Sequence, residues 1–173
     1  MTARRGQHGF TLIELSIVLL IIAIVARVAI PRLRTIAGAE LTASTRRLAG
    51  MMRYLYEESA LRGIVLQLEL DLDRQQYWVT RADDTSGLPI EDTDILARRV
   101  TLPAEVRIAD VFVPGIGKVA QGIVPARFYP EGFADRAVIH LVDDAGHAYT
   151  VEVDPVRGRG VVVEGYHDGE TTS

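Results

Sequence analysis

Between Phe10 and Ile30 the chain reads "FTLIELSIVLLIIAIVARVAI", a run whose only charges are Glu14 and Arg27. As a helix these residues rise about 30 Å, close to the thickness of a hydrocarbon core. A basic stretch, "MTARRGQH", precedes the run. A secretory signal peptide would have a shorter apolar segment and a small-x-small junction leading to a polar mature start. Here the small residues after Ala23 lead into Ile, Val and Arg. The expected element is a single-pass anchor over 10–30, with Arg4 and Arg5 holding the amino end in the cytoplasm.

Glu14 does not fit a plain anchor. A carboxylate at membrane depth costs about 2.5–3.5 kcal/mol on insertion scales and calls for neutralisation. Arg27 is thirteen residues away, about 20 Å along the axis and on another face, so one helix cannot pair the two. Arg27 is expected to snorkel outward with Arg32 and Arg34. Cleavage between Gly9 and Phe10 would create an ammonium one helical turn from Glu14, available to the carboxylate of a neighbouring subunit.

The order of these residues is itself distinctive. "RGQHGFTLIELSIVLLIIAIVARVAIP" resembles the leader and first helix of type IV pilins and type II secretion pseudopilins. The resemblance implies a prepilin peptidase that cuts after Gly9 and methylates Phe10. It also implies an assembly salt bridge from Glu14 and a helix kink at Pro31. Arg27 departs from the small or apolar residue usual at its position.

Composition divides the chain at the same place. Residues 35–173 hold fourteen Lys and Arg against twenty-two Asp and Glu, a net −8, whereas residues 1–34 are net +4. A domain that acidic is a poor general binder of nucleic acid, which needs positive surface for phosphates. The absence of cysteine excludes disulfides, thiolate metal sites and cysteine nucleophiles.

Beyond Pro31, the spacing of Leu41, Leu48, Met52, Leu55 and Ser59 predicts an amphipathic helix over 31–62, with Thr42, Thr45, Arg46, Arg47 and Arg53 opposite the stripe. Gly63 is the expected stop. The period then changes to two. "VLQLELD" predicts a strand with Leu66, Leu68 and Leu70 on one face and Gln67 and Glu69 on the other. "YWVTR" is its returning partner across the turn "DLDRQQ", in which Asp71 and Asp73 are expected to be solvated rather than to hold calcium. Further strands are expected at Arg98–Leu102, Val106–Val113, Arg136–Val142, Tyr149–Val153 and Val161–Glu164. Loops are expected near 82–97 and 113–125. The whole reads as an α+β fold: a long N-terminal helix packed on antiparallel β-sheets, with a leader over 1–9 and a globular domain over 63–173.

This second half is similar to the H-type minor pseudopilins of type II secretion and the related FimT-like minor pilins (the GspH/FimT family). The shared features are the Arg-Gly helix end, the turn Phe128–Gly132, and a last hairpin with Asp154-Pro155. The resemblance implies a pilin-like fold in the bacterial inner membrane, its globular domain periplasmic. Its implied partners are the prepilin peptidase and other minor and major pseudopilins, with no cofactor. A major pseudopilin would carry a calcium loop near its end, and "EGYHDGETTS" has none.

Catalysis has little to stand on. His8, His140, His147 and His167 are not at metal-ligand spacing, and no serine lies in a nucleophile elbow. His140 is expected to be a satisfied strand residue. "VRGRG" places Arg157 and Arg159 in the last hairpin, where some FimT-like pilins bind DNA. Glu152, Asp154 and Glu164 surround the pair, so a solvated turn is preferred and DNA contact is the alternative.

Overall fold

The computed structural model describes residues 12–82, 88–91 and 98–168, with side chains described for all of these but 26–37 and 82. Gly9 and Phe10 lie outside these residues. Among the described residues one helix, α1 (Leu12–Arg62), precedes eleven strands. The chain divides into two compact units, 1–36 and 37–173.

In the first unit every side chain from Leu12 to Val25 is exposed, and the apolar ones encircle the helix. A helix apolar all round is one that lipid or other helices normally cover. Among the described residues, no helix is long and apolar enough to cross a membrane. The expected span, 10–30, extends past both ends of the stretch with described side chains. Pro31 lies within the helical backbone.

The second unit is built from two antiparallel sheets. Strands β1 (Leu66–Asp71), β2 (Gln76–Ala82), β3 (Pro89–Glu91), β4 (Val100–Thr101), β7 (Ile123–Tyr129) and β8 (Phe133–Ala134) form the first, in the order β3-β2-β1-β7-β8 with β4 also on β2. Strands β5 (Val106–Val113), β6 (Gly117–Val119), β9 (Val138–Asp143), β10 (Ala148–Val153) and β11 (Gly160–Glu164) form the second, in the order β11-β10-β9-β5-β6.

The helical stripe is the keel of the core. Leu41, Leu48, Met52 and Leu55 are fully buried with Leu66, Leu68, Leu70 and Phe128 of the first sheet and Val111, Ile139, Leu141 and Val151 of the second. Each buried aliphatic side chain contributes about 1.5–3 kcal/mol. Ser59 closes the stripe, also buried, its hydroxyl donating to the Tyr56 and Tyr129 carbonyls at 3.0 and 3.3 Å. The Ser59 carbonyl in turn accepts the Gly63 and Ile64 amides, with Gly63 at φ 67°, so the helix ends where glycine permits a left-handed residue. Thr45 is buried rather than facing solvent, because its hydroxyl satisfies itself on the Leu41 carbonyl at 2.7 Å.

Several strands differ from the sequence reading. All six residues of β1 are buried, including Gln67 and Glu69. The strand is interior, flanked by β2 and β7, and its polar face is covered by neighbours' side chains. Glu69 accepts from the Thr80 hydroxyl at 3.0 Å, while Trp78 stands opposite it and carries the Arg99 guanidinium 3.7 Å above its ring. Asp71, at the start of the turn, is likewise buried, whereas Asp73 and Arg74 are exposed as expected. One Asp71 oxygen accepts the Asp73 and Arg74 amides and the other accepts Gln76, so the carboxylate serves as a turn cap.

The expected loop at 113–125 instead holds β6 and the start of β7, and the loop at 82–97 holds β3. Pro125 disguised β7, since a proline argues against an interior strand. The structure tolerates it because β8 pairs only with Phe128 and Tyr129, leaving Pro125 on a stretch with β1 on one side only. The strand expected at Arg98–Leu102 shrinks to β4, and the one at Arg136–Val142 begins at Val138 and runs to Asp143.

Candidate functional site

Two turns far apart in sequence meet on one tyrosine. The Tyr56 hydroxyl donates to the Gly132 carbonyl at 2.9 Å and lies 3.1 Å from the Val156 carbonyl. The first turn is closed by the Gly132 amide on the Tyr129 carbonyl, with Tyr129 stacked on Phe133 at 4.4 Å. The second is closed by Asp154, whose Oδ1 accepts the Val156 and Arg157 amides at 2.9 and 3.1 Å. These amide bonds hold the Asp154 carboxyl below its ordinary range. The Ala134 amide joins the two turns by donating to the Pro155 carbonyl at 2.9 Å. Both turns were singled out in the sequence. Tyr56 was not, because it lies beside the apolar stripe; its place one turn after Met52 was the available signal.

The second turn has a tight geometry. Gly158 has φ 58°, and a Cβ there would lie 1.7 Å from Tyr56 Cδ2. Only glycine permits both the backbone conformation and the approach of the ring. The turn therefore sets Arg157 and Arg159 against α1 in a fixed place. They line a cleft of about 240 Å³ with Arg53, Tyr56 and Glu57. Arg53 pairs with Glu57 at 2.9 Å, and Arg157 reaches Asp154 only at 3.9 Å. Among the described residues Arg159 makes no ion pair within 4 Å. The sequence pair is thus part of a three-arginine cleft. Its third member comes from the helix, about a hundred residues away.

The other candidates resolve into structural roles. His140 is fully buried, with Nδ1 2.7 Å from Asp110 Oδ1 and Nε2 2.9 Å from the His167 carbonyl, and Tyr166 stacks on its ring at 3.8 Å. Tyr166 donates to the other Asp110 oxygen at 2.6 Å, and the His167 amide donates to Thr150. This network straps residues 165–168 onto the outer face of the second sheet. His147 pairs with Asp143 at 2.7 Å in the β9–β10 turn. Burial pushes the Asp143 carboxyl up, but hydrogen bonds from His147 and Ala145 outweigh it and hold the group below its ordinary range. Among the described residues no cluster of His, Asp and Glu could hold a metal ion.

Glu14 lies in the first turn of α1 as described and is exposed among Leu12, Ile13, Leu15 and Ile17. The segment around it has known counterparts. Residues 4–26 match the prokaryotic N-terminal methylation motif. The architecture has counterparts as well. Two structures of the minor pseudopilin EpsH from the type II secretion system of Vibrio cholerae superpose with TM-scores of 0.55 and 0.61, each at 15% identity. They cover 72% and 75% of this chain, and 95% and 98% of their own. The fold is a pilin-like α+β fold. No curated protein matches the chain by sequence. A methylation motif at the amino end and a pilin-like α+β fold behind it therefore belong to one chain.

Proposed function

We propose that this chain is a minor pseudopilin of a type II secretion system, cut by prepilin peptidase between Gly9 and Phe10 and methylated on Phe10. Residues 10–30 then anchor it in the bacterial inner membrane, amino end cytoplasmic and globular domain periplasmic. With other pseudopilins it assembles near the tip of a periplasmic filament that drives export of folded proteins. The observation that carries this reading is the pairing of the methylation motif over 4–26 with a domain of the EpsH fold.

Glu14 has a physical role in this reading. A carboxylate in hydrocarbon is stabilised by an ammonium, and the processed Phe10 supplies one on a neighbour. Such a pair in low dielectric demands close geometry, so it selects one stagger between adjacent helices and disfavours others. Pro31 would let the helix bend as it leaves the bilayer. Glu14→Ala should insert into the membrane normally, keep its leader cleavage, and fail to enter the filament. Fractionation, the size of the membrane-bound chain, and shearing of filaments measure the three in turn. Filament entry at the wild-type level would refute the role of Glu14.

The three-arginine cleft favours one second reading, a FimT-like minor pilin that contacts DNA through Arg157 and Arg159. A gel shift with the full-length chain in detergent separates the two. Binding that falls steeply with salt and is lost in Arg159→Ala supports DNA uptake, and its absence supports secretion.

A further inference from the structure

An open sheet edge invites pairing by another chain, and proteins blunt such edges with short strands, proline or charge. In the first sheet β3 has three residues and opens with Pro89, β4 and β8 have two each, and the open stretch of β7 carries Pro125. In the second sheet β6 has three residues with Lys118 at its centre. The other edge of that sheet, β11, has none of these devices. Its five residues include no proline, lysine or arginine, and its register with β10 is unbroken. Val161, Val162 and Val163 are 48%, 39% and 42% exposed in succession.

The pairing phase shows which backbone groups are open. Across to the β10 side, the Arg159 carbonyl accepts the Asp154 amide and the Gly165 amide donates to the Ala148 carbonyl. Val161 and Val163 therefore turn their N–H and C=O groups toward β10, and Gly160, Val162 and Glu164 turn theirs outward. His167 Nε2 covers the Glu164 carbonyl at 2.8 Å. Among the described residues nothing bonds to the amides of Gly160, Val162 and Glu164, or to the carbonyls of Gly160 and Val162. A Cβ on Gly160 would meet Ala49 and Met52, so Gly160 and Val162 share the face toward α1. Val161 and Val163 lie on the outer face beside Glu152 and Thr150.

We propose that this edge docks an extended strand of a different protein, which adds to the second sheet beside β11 and antiparallel to it. Strand addition of this kind takes its affinity from main-chain hydrogen bonds and its specificity from alternate side chains. The filament reading enters at one point, the exclusion of a second copy. Two β11 strands paired antiparallel would be related by a two-fold axis and would point opposite ways, whereas subunits of one filament point the same way. The two ends of the edge set the partner's charge order. Arg53, Arg157 and Arg159, set against Glu57 and Asp154, leave one positive charge over at the start of β11. Exposed Glu164 closes the strand. The antiparallel partner therefore enters with a cation beside Glu164 and leaves with a carboxylate toward Arg159, with apolar side chains at every second position beside Val161 and Val163.

The test uses a short acetylated peptide, Lys-Val-Thr-Val-Thr-Val-Glu, titrated onto the isotope-labelled full-length chain in detergent, with amide hydrogen exchange read by NMR. Saturating peptide should slow exchange at the Gly160, Val162 and Glu164 amides at least tenfold and leave Val161 and Val163, already paired to β10, unchanged. The charge-reversed peptide, Glu-Val-Thr-Val-Thr-Val-Lys, should bind at least threefold more weakly. Two further peptides are N-methylated on alternate amides. One should bind like the parent and the other not at all, because only every second donor faces β11. These comparisons leave the protein unaltered, so misfolding cannot mimic them. Val162→Pro removes an outward donor and no bond to β10, and should abolish binding.

No protection at millimolar peptide, or equal binding by both N-methylated peptides, overturns the strand addition. Equal binding by the charge-reversed peptide overturns the chemistry assigned to the partner. If the same outward amides become protected as the chain is concentrated without peptide, a second copy is the occupant and the proposal is overturned. Leader cleavage in chains purified from cells with active peptidase reports on the filament reading separately. Cleaved chains that do not bind the peptide overturn the edge contact alone, whereas uncleaved chains overturn the filament reading and, with it, the exclusion of a second copy.

Discussion

Gly158→Ala is the most severe single-methyl change the structure defines. The new Cβ would lie 1.7 Å from Tyr56 Cδ2 and 2.0 Å from Cγ, against about 3.5–4.0 Å for an ordinary contact. The ring must move by roughly 2 Å, yet its hydroxyl is held at Gly132 and Val156. Three costs add. A left-handed non-glycine residue costs about 1–2 kcal/mol, overpacking about 1–3 kcal/mol, and the weakened hydroxyl contacts about 1 kcal/mol. The total is about 4 kcal/mol, or a melting point lower by roughly 10–15 °C for a domain of this size.

Gly63→Ala is the control. It has a similar φ of 67° but nothing within 4 Å of the added methyl, so it should cost only the backbone share, about 1 kcal/mol. Urea unfolding of the full-length chain in detergent measures both. Combining Gly158→Ala with Tyr56→Ala should cost at least 2 kcal/mol less than the sum of the single changes, because removing the ring removes the clash. If Gly158→Ala falls within about 1 kcal/mol of Gly63→Ala, the proposed tyrosine pin is refuted.

Two further predictions concern buried polar groups. The Tyr77 hydroxyl is buried with no hydrogen-bond partner among the described residues, and burial pushes its pKa up to about 12. Tyr77→Phe should therefore be neutral or stabilising by about 1 kcal/mol, and a loss above 1 kcal/mol in urea unfolding would reveal a partner for the hydroxyl. Asp143, held below its ordinary range, contributes stability that is complete above the unfolded carboxyl value of about 3.9 and is lost as pH falls through the lower folded value. The stability gap between the wild type and Asp143→Asn should close as pH falls below about 4; a gap unchanged at pH 3 would contradict the assignment.

What the sequence revealed follows physical scale. The stripe from Leu41 to Ser59 was legible because a helix repeats its contact every few residues, and Val106–Val113 matched β5 because alternation survives in a strand of eight. Short strands such as β3 and β6 are too brief to show a period. β7 was hidden by Pro125, whose lost amide matters only where a second neighbour strand would need it. Alternation put Gln67 and Glu69 on the face opposite the leucines, but it reports side-chain polarity and says nothing of what covers that face. The arginine cleft could be only half seen, since Arg53 meets Arg157 and Arg159 through tertiary folding. Tyr56 escaped notice for the same reason, its partners lying 76 and 100 residues away.

Mass spectrometry of the amino-terminal peptide, on protein taken from its native membrane with the peptidase active, tests the central claim most directly. The account predicts a chain that begins at Phe10 and carries one methyl group on its terminal nitrogen. A chain that still begins at Met1 would leave Glu14 without the ammonium it is held to meet, and would contradict the account.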